Sequence, residues 1–252
     1  MMKIIFHDDF YQVYTTDPAA AAGRMEAVIQ VIESRAEFIM AEPASEDEIA
    51  AVHTESHIDY VRGKGLYPIS ALAAGGAIQA ATIGLKEPSF GLIRPPGHHA
   101  SSGSCWGFCY FNNMAIALEQ LKQSNKIQRA YVLDIDLHFG DGTANILGNR
   151  DYVTVHNVTS NIRDAYMDEV AQELENCEAD IIGISAGFDN HKQDWGGTLE
   201  TDDYRELGRM VLAAAQRCNG GCFGILEGGY NHQILGYNVL ALMEGLSSGS
   251  LA

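Results

Sequence analysis

Asp134, Asp136 and His138 follow one another at two-residue steps in the stretch AYVLDIDLHFGDG, residues 130–142. Extended backbone has a side-chain period of two, so this spacing projects all three to one face, at the carboxyl end of a strand. Two carboxylates and an imidazole converging there are costly to bury unless paired or bound to a metal. An Asp-rich loop with a surface histidine is the alternative reading of this stretch alone, and the rest of the chain argues against it. Asp189, in the later stretch SAGFDNHKQDWGG, stands just past another apolar run and can supply a third ligand. Three protein ligands, Asp136, His138 and Asp189, leave one or two positions for water and substrate, the arrangement of a catalytic rather than a structural zinc. Ferrous iron suits the same donors.

Other reactive types gather in two more segments. In RPPGHHASSGSCWGFCYFNN, His98 and His99 follow a rigid Pro95–Pro96–Gly97 turn and can act as a base and its electrostatic partner. A surface His–His pair is the alternative. Gly103 and Gly107 would let backbone approach a ligand, and Phe108 could line an apolar slot. In EGGYN, Tyr230 on a Gly–Gly hinge can donate a hydrogen bond to a developing oxyanion. Asp134 and Asp141 can stand behind the histidines, each carboxylate fixing one ring's tautomer. The competing reading makes Asp141 a helix cap and Asp134 a sheet-end residue.

These residues need elements to position them. Apolar runs predict strands at 3–6, 38–40, 90–93, 131–135, 152–155, 180–185 and 222–226. Helical periodicity and caps predict helices at 19–35, 45–52, 56–61, 70–85, 112–122, from 142, and at 164–176, 201–217 and 232–246, with Ser45 and Glu48 forming a capping box. Strand and helix alternate regularly from residue 90 onward. The pattern implies a mostly parallel sheet covered on both faces, a three-layer α/β/α single domain over residues 1–252. The chemistry-bearing loops, 94–109, 136–142, 186–197 and 227–231, all follow strands and should meet outside the carboxyl edge of the sheet.

Composition sets bounds. Sixteen basic against 33 acidic residues give a net charge of −17, which argues against a general nucleic-acid or anionic-membrane binder and is compatible with a small cationic substrate. The five cysteines, Cys105, Cys109, Cys177, Cys218 and Cys222, include no CxxC pair and make no disulfide framework; most read as small buried apolar residues. His7, Asp8 and Asp9 interrupt the N-terminus before a signal-peptide core can form, and no apolar run is long enough to span a bilayer. A reducing, cytoplasmic setting is the default expectation.

RPPGHHA, GFCYFNN, LDIDLHFGDGT, SAGFDN and LEGGYN resemble, in order and spacing, the successive motifs of the histone deacetylase superfamily, which includes the acetylpolyamine amidohydrolases. The resemblance runs from about residue 53 to 246, with weaker similarity reaching Arg24, and the RPPGHH form is closest in type to class II and bacterial members. It implies zinc-dependent amide hydrolysis on an arginase-like α/β fold, with one Zn2+ per chain held by Asp136, His138 and Asp189. It matches His99 to the general base and acid, His98 to its electrostatic partner, Tyr230 to the residue that polarises the acetyl carbonyl, and Asp134 and Asp141 to the carboxylates behind the histidines. It further implies a K+ ion held through Asp134 and the backbone carbonyls of Asp136 and His138. The implied substrate is an acetylated polyamine, another small acetylated amine or acetyl-lysine.

The chain departs from that pattern at residues 156–163, where about eight residues replace a long insertion with a PGTG-type loop. The stretch after Arg62 is also short, no acidic rim residue stands where relatives grip a substrate backbone, and TTDPAAAAGR replaces the early HPE-type motif. Two expectations follow: a wide cleft with Phe108 as its one aromatic wall, or a rim completed by a second subunit in a homo-oligomer; and weak preference for a long peptide. A pseudo-deacetylase that binds metal and acyl ligands without turnover is the alternative from another class. A ureohydrolase-like enzyme with two manganese ions is a third reading, and it wants more carboxylates around the DxH strand.

Overall fold

Residues 130–134, AYVLD, and 181–186, IIGISA, are buried throughout, as strands covered on both faces must be. The computed structural model describes residues 1–247. Its strands are β1 (Met2–Phe6), β2 (Ala36–Met40), β3 (Ser89–Gly91), β4 (Ala130–Asp134), β5 (Val153–Asn157), β6 (Ile181–Ala186) and β7 (Gly221–Leu226). They form one seven-stranded sheet in the order β2-β1-β3-β7-β6-β4-β5. Every pair is parallel, so the expected mostly parallel sheet is wholly so. The two edge strands, β2 and β5, carry most of the partly exposed positions, in keeping with one open flank each.

The helices are α1 (Arg24–Ile32), α2 (Glu46–Ala50), α3 (Glu55–Gly63), α4 (Tyr67–Gly84), α5 (Asn113–Gln123), α6 (Asp141–Leu147), α7 (Arg163–Glu175), α8 (Thr201–Arg217) and α9 (Leu235–Leu246). α4 packs on β1, β3, β7 and α5; α8 packs on β6, β7, α7 and α9, and α9 on α1. The capping box forms as expected: Ser45 accepts from the Glu48 N–H, and the Glu48 carboxylate accepts from the Ser45 N–H at 2.8 Å. Asn112 caps α5 by accepting from the Ala115 N–H at 2.9 Å, and its amide donates to Ala100 O at 2.9 Å, tying the helix to the 94–109 loop.

Several boundaries differ from expectation for local reasons. The helix expected over 19–35 begins only at Arg24, because Gly23 sits in the left-handed region at φ 83°; residues 18–20 and 33–35 are separate 3-10 turns. The helix expected from 232 starts at Leu235, since the Asn231 side chain accepts the Gln233 N–H at 3.0 Å and holds a turn there. The strand expected over 90–93 leaves the sheet after Gly91. All five cysteines are free thiols, and Cys109, Cys177 and Cys222 are buried. Among the described residues no helix is long and apolar enough to cross a membrane.

Candidate active site

The register sets Asp134 beside Ser185 and Ala186 beside Leu226, so β4, β6 and β7 end side by side. The loops after these strands and after β3 converge over that edge, where an open α/β sheet offers a crevice.

Beyond Asp134 the chain does not stay extended, which corrects the expected projection of residues 134, 136 and 138 from a straight strand. Asp134 Oδ1 accepts the Asp136 N–H at 3.1 Å, and Asp136 Oδ1 accepts the His138 N–H at 2.9 Å. Each short carboxylate thus bonds backbone two residues on and winds the segment. Asp134 turns to His98, while Asp136 and His138 turn to Asp189. His138 Nδ1 lies 3.2 Å from Asp136 Oδ1 and 3.1 Å from Asp189 Oδ2. One ligand atom from each of the three residues falls within 4.8 Å of the others.

Second partners hold this triad in place. Asp136 Oδ2 accepts the Gly228 N–H at 2.8 Å, and Asp189 Oδ1 accepts the Leu137 N–H at 3.1 Å. A Cβ at Gly228 would fall 2.6 Å from Asp136 Oδ2 and 2.8 Å from Asp189, so the close approach requires glycine. Both carboxylates are buried, and Asp189 Oδ2 has the His138 ring at 3.1 Å but no well-aligned hydrogen-bond donor among the described residues. Two buried carboxylates and an imidazole, with one oxygen lacking an aligned donor, fit a divalent cation. The local field agrees: the Asp136 and Asp189 carboxylates beside its Nδ1 push His138 up to about 10, the signature of a strong pull on positive charge. Burial would raise Asp136, but His98, His138 and the Gly228 N–H hold it below the usual range. Burial and the Asp136 charge push Asp189 up to about 6.

The tandem histidines form two separate dyads. His98 Nδ1 lies 3.1 Å from Asp134 Oδ2, and His99 Nδ1 lies 2.7 Å from Asp141 Oδ1. Their rings are 4.0 Å apart, and His99 reaches the His138 ring at 6.0 Å. Both are buried, which removes the surface-pair reading. Burial opposes charge on His98, but Asp136, Asp134 and Glu227 raise it well above its ordinary value. Burial and the neighbouring His98 lower His99 to about 4 despite its bond to Asp141. Asp141 is the first residue of α6 with Gly140 at the cap, so it is not the cap residue; its carboxylate serves His99.

Tyr230 is placed by its backbone: Asp194 Oδ2 accepts the N–H groups of Tyr230 and Asn231 at 2.8 and 2.7 Å. Buried Arg24 donates to Gly229 O at 2.8 Å and to Glu227 O at 2.6 Å, bracing the same hinge. Burial pushes the phenol far above its ordinary value, so it stays a donor. Gly107 and Phe108 are both left-handed, at φ 59° and 67°. A Cβ at Gly107 would collide with the His99 ring, and Phe108 sits edge-on to Tyr230 at 6.0 Å. Gly103, expected near a ligand, is exposed over Thr54 instead.

Phe108 is not the one aromatic wall. Trp106 stacks on His99 at 3.8 Å, and Trp195 lies 4.1 Å from Tyr230 and 6.0 Å from His138. Sequence reasoning missed both, along with Glu227, whose Oε2 accepts the N–H groups of Gly97 and His98 at 2.6 and 3.2 Å. A signal existed: the chain has two tryptophans, and both stand in strand-end loops next to glycine.

The family model described as the histone deacetylase domain matches residues 63–161 and 156–246. The chain belongs to the histone deacetylase family. It is 29% identical to a probable deacetylase of Methanothermobacter thermautotrophicus over 96% of this chain and 90% of that one. It is 28% identical to the histone deacetylase-like amidohydrolase of Pseudomonas aeruginosa over 91% of this chain and 78% of that one. The crystal structure of the HDA15 HD domain shares the fold at a TM-score of 0.85 and 22% identity, over 99% of this chain and 90% of that one. As a histone deacetylase family member the chain is a hydrolase acting on amide bonds. The two matched segments of this deacetylase domain meet at the abbreviated connection between β5 and α7. There Glu169 accepts from His156 at 3.1 Å, the Thr159 N–H at 3.0 Å and the Ser160 N–H at 3.1 Å, closing residues 158–162 into a tight strap.

Proposed function

We propose that the chain, acting as one catalytic domain over residues 1–252, is a zinc-dependent deacetylase that removes an acetyl group from a small N-acetylated amine or from acetyl-lysine. The observation that carries this reading is the pair of buried carboxylate-backed histidines, His98 on Asp134 and His99 on Asp141, set beside the triad and Tyr230. Asp136, His138 and Asp189 would hold one Zn2+, with Fe2+ the alternative for the same donors. Bound there, the cation supplies Lewis acidity toward the amide carbonyl and lowers the pKa of water.

The chain's own groups do the proton chemistry. With Nδ1–H given to Asp141, neutral His99 keeps its Nε2 lone pair for the proton of the attacking water, and returns that proton to the leaving amine. His98, held protonated between Asp134 and Asp136, supplies fixed positive charge beside developing negative charge. Tyr230 donates its phenolic hydrogen to the carbonyl oxygen as that charge forms. Phe108 and Gly107 flank the approach of the acyl group. A K+ ion beside β4 belongs to the same proposal and would draw on Asp134 and the backbone carbonyls of Asp136 and His138, the Asp134 oxygens each keeping a lone pair beyond their bonds to His98 and the Asp136 N–H.

The test is deacetylation by zinc-loaded protein of acetylputrescine, acetylspermidine and an acetyl-lysine peptide, with Tyr230→Phe as control. Turnover that vanishes in the variant supports the mechanism, and the preferred panel member names the substrate class. No turnover of any member, with one zinc bound per chain, would overturn it.

A further inference from the structure

Trp106 closes the solvent side of the His99–Asp141 dyad. Its ring lies on the His99 imidazole with centroids 3.8 Å apart and planes 31° apart. Its Nε1–H reaches both Asp141 oxygens, at 3.1 Å to Oδ1 and 2.9 Å to Oδ2. His99 is buried, whereas the Asp141 side chain is 37% exposed and Trp106 55% exposed. A carboxylate that open to water, held by its histidine and the neighbouring Gly142 N–H alone, can rotate and hydrate away from the ring. The indole donor removes that freedom, and the indole ring covers the imidazole. The left-handed turn at Gly107, which brings backbone against His99, directly follows Trp106 in the chain.

We infer that Trp106 is a positioning residue: it fixes the Asp141 carboxylate and, through it, the orientation and tautomer of His99. The inference rests on the reading of His99 as the general base. An indole this exposed beside a cleft would otherwise pass for a substrate platform, but here its N–H points inward and one ring face is occupied.

Trp106 and Trp195 are the only tryptophans in the chain, so a proton–nitrogen correlation spectrum carries two side-chain indole signals and needs no turnover to read. Asp141→Ala is expected to shift one signal and speed its exchange with solvent, while the other, assigned with Trp195→Phe, stays in place. In kinetics, Trp106→Phe keeps a ring over His99 and loses the donor; kcat falls roughly tenfold with KM unchanged. Trp106→Leu loses ring and donor and falls further. In the Asp141→Ala background Trp106→Phe has no additional effect, because the donor acts through that carboxylate. A rise in KM at constant kcat would make Trp106 a substrate contact and overturn the inference. Equal losses in both backgrounds, or indole signals indifferent to Asp141→Ala, would do the same. If the parent protein turns over no acetylated amine, the proposed function falls, while the spectrum still decides whether Asp141 holds the indole.

Discussion

Trp195 lies almost flat against Tyr230, with ring centroids 4.1 Å apart and planes 26° apart. Phe108 meets the same phenol edge-on, and the Arg24 guanidinium stands 5.5 Å from its ring centre. Such an aromatic pair contributes about 1 kcal/mol beyond buried area, equivalent to about fivefold in rate if it serves to align the phenol. Trp195→Ala is therefore expected to lower kcat about fivefold, with Trp195→Phe recovering most of it. Because the indole is half-exposed, the fall in Tm should stay within about 2–4 °C. An Ala variant with full kcat would mean that Phe108 and the Gly229 hinge align Tyr230 by themselves.

Burial and His98 hold His99 down to about 4. A base with a lowered pKa is neutral, and competent, at every pH above that value, and it is lost only as pH falls through it. The profile of kcat/KM should therefore show no acid limb from His99 between about pH 5 and 7, and a bound cation nearby would push the limb lower still. A limb at the ordinary histidine value would remove His99 from the role of base.

His53, in the turn between α2 and α3, is a buried structural counterpart. Its Nδ1 lies 3.1 Å from Ser101 O and its Nε2 accepts the Asn112 N–H at 2.9 Å, which binds the 94–109 loop to α5. Burial and the His57 charge lower it from 6.5 to about 3. The unfolded chain binds this proton near 6.5 and the folded chain does not, so the stability is complete above 6.5 and drains away toward 3. The loss from this group is about 2 kcal/mol by pH 5. Urea unfolding at both ends of that range tests it: His53→Gln should be less stable at neutral pH yet show a shallower dependence. A slope as steep as the parent's would exonerate His53.

Metal removal should be reversible and visible without any assay of turnover. Chelation is expected to lower Tm, and Zn2+ at about 100 times its Kd to restore about 2.7 kcal/mol. Asp189→Asn keeps the shape of the ligand and removes its charge, so affinity should drop at least about tenfold. Metal analysis should return one ion per chain; two would favour the dinuclear alternative.

Much of this was legible in residue order because the signals were local. The apolar run before Asp134, the alternation of strand and helix, and the placing of His98, His99, Asp189 and Tyr230 just past strands led to a parallel sheet and a shared crevice. What stayed hidden depends on contacts across the chain. Arg24 reaches Gly229 over 205 positions, and Glu227 reaches Gly97 over 130; no periodicity announces such a bond. The turn after Asp134 was misread as extended backbone because its cause is a side chain bonding its own main chain, which competes with strand pairing at short range. The roles of Trp106 and Trp195 are not legible in the sequence, because an indole in a polar loop gives no hint of whether its N–H faces water or a carboxylate.

The strap between β5 and α7 has five residues, 158–162, and Glu169 pins its first half through Thr159 and Ser160. A segment that short has no slack with which to swing over a bound molecule. A connection this short offers no lid to close on this flank, so the expected aperture there is constant. Exchange of a bound molecule would be paced by its own contacts and not by the closing segment that paces many enzymes.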